Sequence, residues 1–243
     1  MVNTKDNLET VMSYPPKTIF SDKLYPQGLV EIFVTRGKPT LHTWGALPSK
    51  PGFPQVYTDH RIEFSDCELI AKHVRKNIIV NQGKDAVIRS LTTGNLLVIA
   101  RMCVGDRGTL PSDSTVPKVS TPTMTTLYNE VNRSDVEAVI LDVGSPSIHE
   151  VKFVKTFNAA GTNKIPITAF SNQSKPVLNE VGIVMFDPAM PPPLPRPDNY
   201  GPYTPSNQPP SDEVLFAIRT FKSVPFEESN DMSVTIRYTI FIE

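Results

Sequence analysis

The chain has little cysteine, little net charge and no long apolar run, and each of these limits what it can be. Its two cysteines, Cys67 and Cys103, show no metal-ligand spacing and imply no disulfide framework. The formal net charge is −1, with both signs interspersed, which does not favour binding to nucleic acid or to an anionic membrane. No apolar run approaches the ~18 residues of a spanning helix, and the first residues lack a signal-peptide pattern. We therefore expect a reduced, intracellular chain with no nucleic-acid partner and no membrane insertion.

Glycine is scarce relative to proline, with 12 glycines against 24 prolines in 243 residues. Ten prolines fall within 188–210, where fixed φ angles and missing N–H groups exclude a helix or a central strand. This composition predicts an extended arm. One interpretation is a polyproline ligand for a proline-reading domain. We favour an arm that docks on a neighbouring subunit, with Pro192, Pro193, Tyr200 and Tyr203 as candidate assembly contacts.

Residues that could support catalysis, metal binding or nucleotide binding are present only singly. His60 with Glu63 and His149 with Glu150 are the nearest acid–base pairs, but neither has a further partner at metal-ligand spacing. His149 and Glu150 are also adjacent, and adjacent residues of a strand point to opposite faces. No phosphate-binding glycine motif occurs. The sequence also brings no two carboxylates together for glycan cleavage, although several are available: Glu130, Asp135, Glu150 and Glu180. We predict no catalytic residue, no cofactor and no metal site, and we interpret Cys103 as a buried apolar residue.

The stretch from Leu96 to Val131 changes character twice. An apolar run predicts a core strand over 97–104, and Met124, Leu127, Tyr128 and Val131 have the spacing of one helical face. The connection over 105–122 is polar and longer than most loops of compact domains, which is typical of a functional or partner-ordered segment. We interpret Gly105–Gly108 as a tight turn. Asp106, Arg107 and Leu110 are our candidate assembly contacts in this loop.

The remaining pattern is mostly of strands. Residues 81–94 predict a short helix that begins at Asn81, ends near Gly94 and buries Val87, Ile88 and Leu91. Residues 29–35 and 40–44 flank a turn and predict a hairpin. Further strands are predicted at 61–64, 136–143, 150–157, 177–186, 213–221 and 234–242. The last of these alternates most clearly.

These elements predict a mainly β (α+β) fold. Two short helices and a run of strands without βαβ alternation favour an antiparallel β-sandwich or rolled sheet, with the helices at one end and extended N-terminal and proline-rich arms. We divide the chain into an N-terminal extension, residues 1–75, with an arm and a β-hairpin, and a β domain, residues 76–243, that carries the proline-rich insertion 188–210.

Several phrases, in a fixed order, resemble the N-terminal domain of bacteriophage tail-collar fibre proteins. That domain has a helix with a glycine end, a strand that runs into a Gly-Asp turn, a helix with Leu-x-Asn-Glu-Val, a phrase of the form Asn/Arg-Glu-Val-Gly-Ile/Leu, and two closing strands. The matching segments here are NQGKDAVIRSLTTG (81–94), LVIARMCVGD (97–106), LYNEV (127–131), NEVGI (179–183), LFAIRTF (215–221) and SVTIRYTIFI (233–242).

The resemblance implies a structural virion protein of a tailed phage, made in the host cytoplasm and placed in the tail or baseplate. Its partners would be other tail, baseplate or fibre proteins, and a homo-oligomer, by resemblance a trimer, is expected. The fibre pattern continues into a shaft, whereas this sequence stops at Glu243 and adds about 75 residues in front. Those departures favour an adaptor that attaches fibres to the tail. The alternatives are a host receptor-binding fibre module and a tail-associated glycan-degrading enzyme.

Overall fold

The computed structural model describes residues 27–49, 54–93, 98–142, 149–161, 164–186 and 213–242. In chain order its strands and its helix are β1 (Gln27–Arg36), β2 (Thr40–Trp44), β3 (Val56–Tyr57), β4 (Asp59–Glu63), β5 (Glu68–Lys76), β6 (Ile78–Ile79), α1 (Asn81–Thr93), β7 (Val98–Gly105), β8 (Thr109–Leu110), β9 (Asp113–Pro117), β10 (Glu130–Asp135), β11 (Ala138–Asp142), β12 (His149–Asn158), β13 (Val177–Phe186), β14 (Val214–Pro225) and β15 (Met232–Ile242). Short 3-10 turns lie at Ile167–Ala169 and Glu228–Asn230. None of the described helices has the length and apolar character needed to cross a membrane.

Two sheets form the core of the structure. One contains six strands in the order β3-β11-β12-β15-β1-β5, and the other contains five in the order β10-β7-β13-β14-β6. All neighbouring strands are antiparallel except β3 and β11. Buried side chains from both sheets pack in one large cluster. The predicted mainly β sandwich is therefore confirmed.

The closing strand β15 shows how the sequence pattern builds this core. The predicted alternation holds, because Val234, Ile236, Tyr238 and Ile240 all belong to the cluster between the sheets. Thr235, on the other face, is nevertheless 1% exposed and shares a hydrogen bond with the hydroxyl of Thr156, 3.0 Å away. The alternation along β15 therefore determines which side chains enter the core. The opposite face of this strand is also buried at Thr235.

Helix α1 begins at Asn81, as predicted, and packs on β14. Its buried side differs from the predicted face. Gly83 and Ala86 are buried, whereas Ile88 is 55% exposed. A Cβ at Gly83 would lie 2.4 Å from the carbonyl oxygen of Phe216, so the absence of a side chain lets the helix approach the strand. The predicted end at Gly94 lies outside the described residues.

The second predicted helix, over 124–131, is wrong. The chain makes turns up to Asn129 and then enters β10. Helical spacing was misleading because the backbone N–H groups of Tyr128 and Asn129 donate to the side chain of Glu180 instead of to carbonyls one turn back. Leu127 is buried against the outer face of the five-stranded sheet, in a separate apolar cluster.

The hairpin predicted for 29–44 is also wrong, although both strands exist. Strand β1 pairs with β15 on one side and with β5 on the other, so neither of its edges is left for β2. Gly37, with a φ of +85°, turns the chain away, and β2 pairs with β4 in a separate two-stranded ribbon. The strand predicted at 61–64 corresponds to β4.

The predicted division at residues 75 and 76 does not separate two cores. Val30, Ile32 and Val34 of β1 belong to the same buried cluster as residues of β13 and β15. Ten residue pairs join β1 to β15 along the full length of β1. Strands β1, β3 and β5, which lie between residues 27 and 76, are therefore integral to the sandwich. The predicted N-terminal and proline-rich arms lie outside the described residues.

Candidate assembly surface

Two adjacent polar residues near the start of β13, Asn179 and Glu180, hold the 105–122 connection in place. Glu180 has no exposed surface, and its carboxylate accepts three backbone hydrogen bonds. Oε1 accepts from the N–H groups of Arg107 (3.1 Å) and Asn129 (2.9 Å), and Oε2 accepts from that of Tyr128 (2.7 Å). One side chain thus fixes the turn after β7 and the segment before β10.

Asn179, its neighbour in β13, fixes the other side of the same turn. Its Oδ1 accepts from the N–H of Gly108 at 2.6 Å, and its Nδ2 lies 3.1 Å from the carbonyl oxygen of Asp106. The same Nδ2 is within 3.1 Å of the hydroxyls of Thr109 and Ser223. Because these groups are mostly buried, their hydrogen bonds are costly to lose. We refer to Asn179 and Glu180, with their partners, as the anchor.

Asp106 extends the anchor to a third segment of the chain. Its carboxylate accepts hydrogen bonds from the Ser171 N–H (2.5 Å) and from the Asn129 side-chain amide (2.6 Å). Asp106 is 9% exposed, so this candidate assembly contact is engaged within the fold. Arg107 is exposed, and its Nε donates to the Ser171 hydroxyl at 2.9 Å.

Two glycines permit the close approach that the anchor requires. A Cβ at Gly105 would lie 2.3 Å from the carbonyl oxygen of Asn129, and one at Gly108 would lie 2.4 Å from that of Asn179. Both contacts are with backbone, which cannot rotate out of the way. The Gly-Asp-Arg-Gly turn predicted from sequence is therefore required by packing against β13 and the 127–129 segment.

Burial dominates the electrostatics of Glu180. Loss of solvent raises the pKa of its carboxyl to about 7, although the three backbone N–H groups oppose this shift. The nearby charge of Asp106 raises the pKa further. Glu180 is thus a buried carboxyl that titrates near neutral pH while supporting two loops.

Beyond the anchor, strands β8 and β9 form a small hairpin that the sequence did not predict. Thr109 is buried, and the Thr220 hydroxyl of β14 donates to the carbonyl oxygen of Lys118 at 2.5 Å. The N–H of Lys118 in turn donates to the carbonyl oxygen of Gly108 at 2.7 Å. The base of the hairpin is therefore fixed to the sandwich.

Apolar side chains are exposed on and beside this hairpin. Val119 is 78% exposed, and the other members are each 41% exposed: Leu110, Val116 and Tyr128. The Tyr128 hydroxyl donates to the carbonyl oxygen of Val119 at 2.9 Å, and the Lys118 ammonium lies 4.4 Å from the centre of the Tyr128 ring. We call these four residues the hairpin patch. Leu110 is thus the one predicted contact that belongs to it.

A second buried charge cluster was missed by sequence reasoning. The Glu213 side chain is fully buried and pairs with both Arg101 and Arg133. Arg133 also holds Glu130 through two hydrogen bonds of 2.8 Å, and Arg101 pairs with Asp135 at 3.0 Å. The structure therefore links Glu130 and Asp135, which the sequence did not bring together, but it does so through arginines that neutralise them.

No described histidine or cysteine side chain is among the hydrogen-bond partners of Asn179 and Glu180. His42, and not His60, pairs with Glu63, with 2.8 Å between Nε2 and Oε2, while His60 Nε2 lies 3.2 Å from a guanidinium nitrogen of Arg237. Cys103 is fully buried, and burial raises the pKa of its thiol, in keeping with an apolar role. Nowhere in the described ranges do three or more His, Cys, Asp or Glu side chains form a group that could hold a metal ion.

The four candidate contacts of the proline-rich arm, Pro192, Pro193, Tyr200 and Tyr203, lie outside the described residues.

The anchor itself had a visible signal in the sequence, since Asn179 and Glu180 interrupt an apolar strand. Their hydrogen-bond partners, which lie 44 to 73 residues away, had none. Comparison with known proteins found no matching family model, no similar curated protein and no similar solved structure.

Proposed function

We propose that this chain is a structural component of a tailed phage, namely a tail or baseplate adaptor that attaches fibres. In this proposal it acts as a homo-oligomer, and the hairpin patch contacts a neighbouring tail protein. The observation that carries the proposal is the patch itself. Exposed apolar side chains that cluster on a fixed support are typical of protein–protein contact surfaces. A rigid support also lowers the entropic cost of docking.

The resemblance to tail-collar domains adds support, because three of its phrases meet in the anchor. The Gly-Asp turn supplies Asp106, the Leu-x-Asn-Glu-Val phrase supplies Asn129, and the Asn-Glu-Val-Gly phrase supplies Asn179 and Glu180. Phrases that are distant in sequence thus serve one structural purpose, which is to present the hairpin. The homo-oligomer, a trimer by resemblance, and the location in the virion rest on the resemblance alone.

Labelling of virions tests the proposal directly. A tagged copy of the chain is expressed in the phage that carries its gene, and gold-labelled antibody is located by negative-stain electron microscopy. We expect label at the tail or baseplate. Virions without tail label would overturn the proposal, and label at fibre tips together with blocked adsorption by the isolated protein would replace it with a receptor-binding role.

The hairpin patch is tested by a matched pair of double variants. L110S/V119S removes two apolar side chains of the patch, while I88S/I167S removes two that are similarly exposed elsewhere, at 55% and 52%. Both should fold, since exposed substitutions usually change stability by no more than about 0.5 kcal/mol. We expect L110S/V119S to enter purified tails at about one tenth of the wild-type level or less, because hot-spot residues contribute ~2 kcal/mol or more. Equal incorporation of the two variants would exclude the patch as the contact.

A further inference from the structure

Several polar groups between the two sheets have no hydrogen-bond partner among the described residues. Tyr238 is 0% exposed, yet its hydroxyl is unpaired. The same holds for Nε of Arg219 and for both polar atoms of the Asn77 side-chain amide. Buried polar atoms are almost always paired in folded proteins, so three unsatisfied side chains in one region require an explanation.

These side chains converge from three strands and a loop. Tyr238 of β15 and Arg75 of β5 both pair with Val30 of β1, so the three residues form one row across the six-stranded sheet. Adjacent strands lie about 4.8 Å apart and facing sheets about 10 Å apart, which brings Arg219 of β14 within reach from the other sheet. The pKa of Arg219 responds to the charges of Arg75 and Tyr238, which shows that the groups are close.

Asn77 is placed by a glycine. Its backbone N–H donates to the carbonyl oxygen of Gly28 at 3.0 Å, and its side chain lies against the position that a Gly28 side chain would take. A Cβ there would be 2.1 Å from Asn77 Nδ2. The Asn77 amide is near enough to the Tyr238 hydroxyl to affect its pKa, but the two groups do not meet hydrogen-bond geometry. The Asn77 amide thus lies near the Tyr238 hydroxyl, but neither its nitrogen nor its oxygen makes a hydrogen bond there.

Among the described residues, the cationic side chains that shift the pKa values of Arg219 and His73 are Arg75 and Lys222. Burial, and then the charge of Arg75, lowers the pKa of Arg219. Burial, and then the charges of Arg75 and Lys222, lowers the pKa of His73. No carboxylate is among the described groups that shift either value. Arg219 is half-buried, and its buried Nε has no described acceptor. A cation that is partly removed from water without a counter-charge is costly, so an anion is the group that this cluster lacks.

We propose that Arg219, Tyr238 and Asn77, with Arg75 at the rim, form a binding site for a small oxyanion, either a carboxylate or a phosphate group. Arg219 Nε, the Tyr238 hydroxyl and Asn77 Nδ2 are the hydrogen-bond donors, and the guanidinium groups supply the opposite charge. The unpaired Oδ1 of Asn77 is an acceptor, which a hydrogen phosphate can satisfy with its O–H and a carboxylate cannot.

Calorimetric titration of the full chain tests the site with inorganic phosphate and with acetate, in sodium chloride that keeps the ionic strength constant. We expect one anion per chain. R219M, which keeps the side-chain bulk and removes the charge, should weaken binding at least about tenfold, and Y238F should weaken it several-fold because charge-assisted hydrogen bonds are strong. R61Q removes an exposed arginine of β4, which belongs to the separate two-stranded ribbon, and it should bind like the wild type. Stronger binding of phosphate than of acetate would identify a phosphate group as the preferred ligand.

Thermal unfolding supplies a readout that does not depend on titration heats. Bound anion should raise the wild-type Tm by several degrees over matched chloride. R219M should unfold at or above the wild-type Tm in chloride, since it lacks the unpaired cation, and should show no increase with phosphate. Absence of binding by the wild type, or equal responses of the wild type, R219M and Y238F, would overturn the proposal.

Discussion

At the scale of single residues, the Glu180 side chain supplies two loops with the hydrogen-bond acceptors that a neighbouring strand supplies in a sheet. Its carboxylate satisfies the N–H groups of Arg107, Tyr128 and Asn129, which lack carbonyl partners. A polar pair inside the apolar strand 177–186 could be read from the sequence as unusual. Its partners could not, because a hydrogen bond over 51 to 73 residues depends on how the sheets assemble.

The raised pKa of Glu180 predicts a pH-dependent effect of E180Q on stability. A carboxyl with a pKa of about 7 when folded and 4.5 when unfolded holds its proton more tightly in the folded state. Its contribution to stability is therefore fully present below pH 4.5 and is lost as the pH rises to about 7. Glutamine cannot ionise, so the free energy of unfolding of E180Q relative to the wild type should increase by about 2 kcal/mol between pH 5 and pH 8. Urea denaturation at the two pH values measures this difference.

E180Q also carries a cost that does not change with pH. An amide has one acceptor oxygen, so one backbone N–H loses its partner, at about 1–3 kcal/mol. Other titrating groups are common to both proteins and cancel in the comparison. E137Q, which changes an exposed carboxyl, serves as the matched control for the Glu-to-Gln substitution itself. A pH-independent E180Q difference would mean that Glu180 does not titrate in this range.

At the scale of elements, the sequence located α1 and most strands but misjudged what they pack against. Hydrophobicity placed Ile88 on the buried face of α1, whereas the face against β14 is built from Gly83 and Ala86. A close helix–strand contact selects for small residues, which carry almost no hydrophobic signal. The helix predicted over 124–131 is wrong for a related reason. The apolar residues have helical spacing, but the backbone N–H groups of Tyr128 and Asn129 donate to Glu180.

The close contact of α1 predicts an unusual sign for a glycine substitution. Replacing glycine by alanine inside a helix normally stabilises it by about 1 kcal/mol. In G83A the new Cβ would lie 2.4 Å from the Phe216 carbonyl oxygen and 2.8 Å from its Cα, so α1 must move away from β14. We expect a net loss of about 1–2 kcal/mol in the free energy of unfolding, measured by urea denaturation. D85A, at an exposed position of the same helix, should be neutral or slightly stabilising, and a stabilising G83A would refute the close contact.

At the scale of the whole molecule, the alternating strands were enough to predict a mainly β sandwich, but not its closure. Local pattern shows that β1 and β15 are strands. It does not show that the first and last described strands pair with each other over ten residues. Pairing at such separation is decided by which edges remain free when the sheets form, and the predicted hairpin was wrong for this reason.

The central position of β1 predicts that residues 76–243 cannot fold without the strands that precede them. Removal of β1 and β5 exposes an edge of β15 and takes Val30, Ile32 and Val34 out of the shared core. Loss of a single buried side chain of this size costs about 2–5 kcal/mol, against a total stability of about 5–15 kcal/mol. We expect the truncated chain to show no cooperative thermal transition and poor NMR dispersion under conditions where the full chain is folded. A peptide of residues 27–79 supplied in trans should restore structure if the loss is due to the missing strands. Cooperative unfolding of the 76–243 chain alone would show that the five-stranded sheet and its partners are stable without β1.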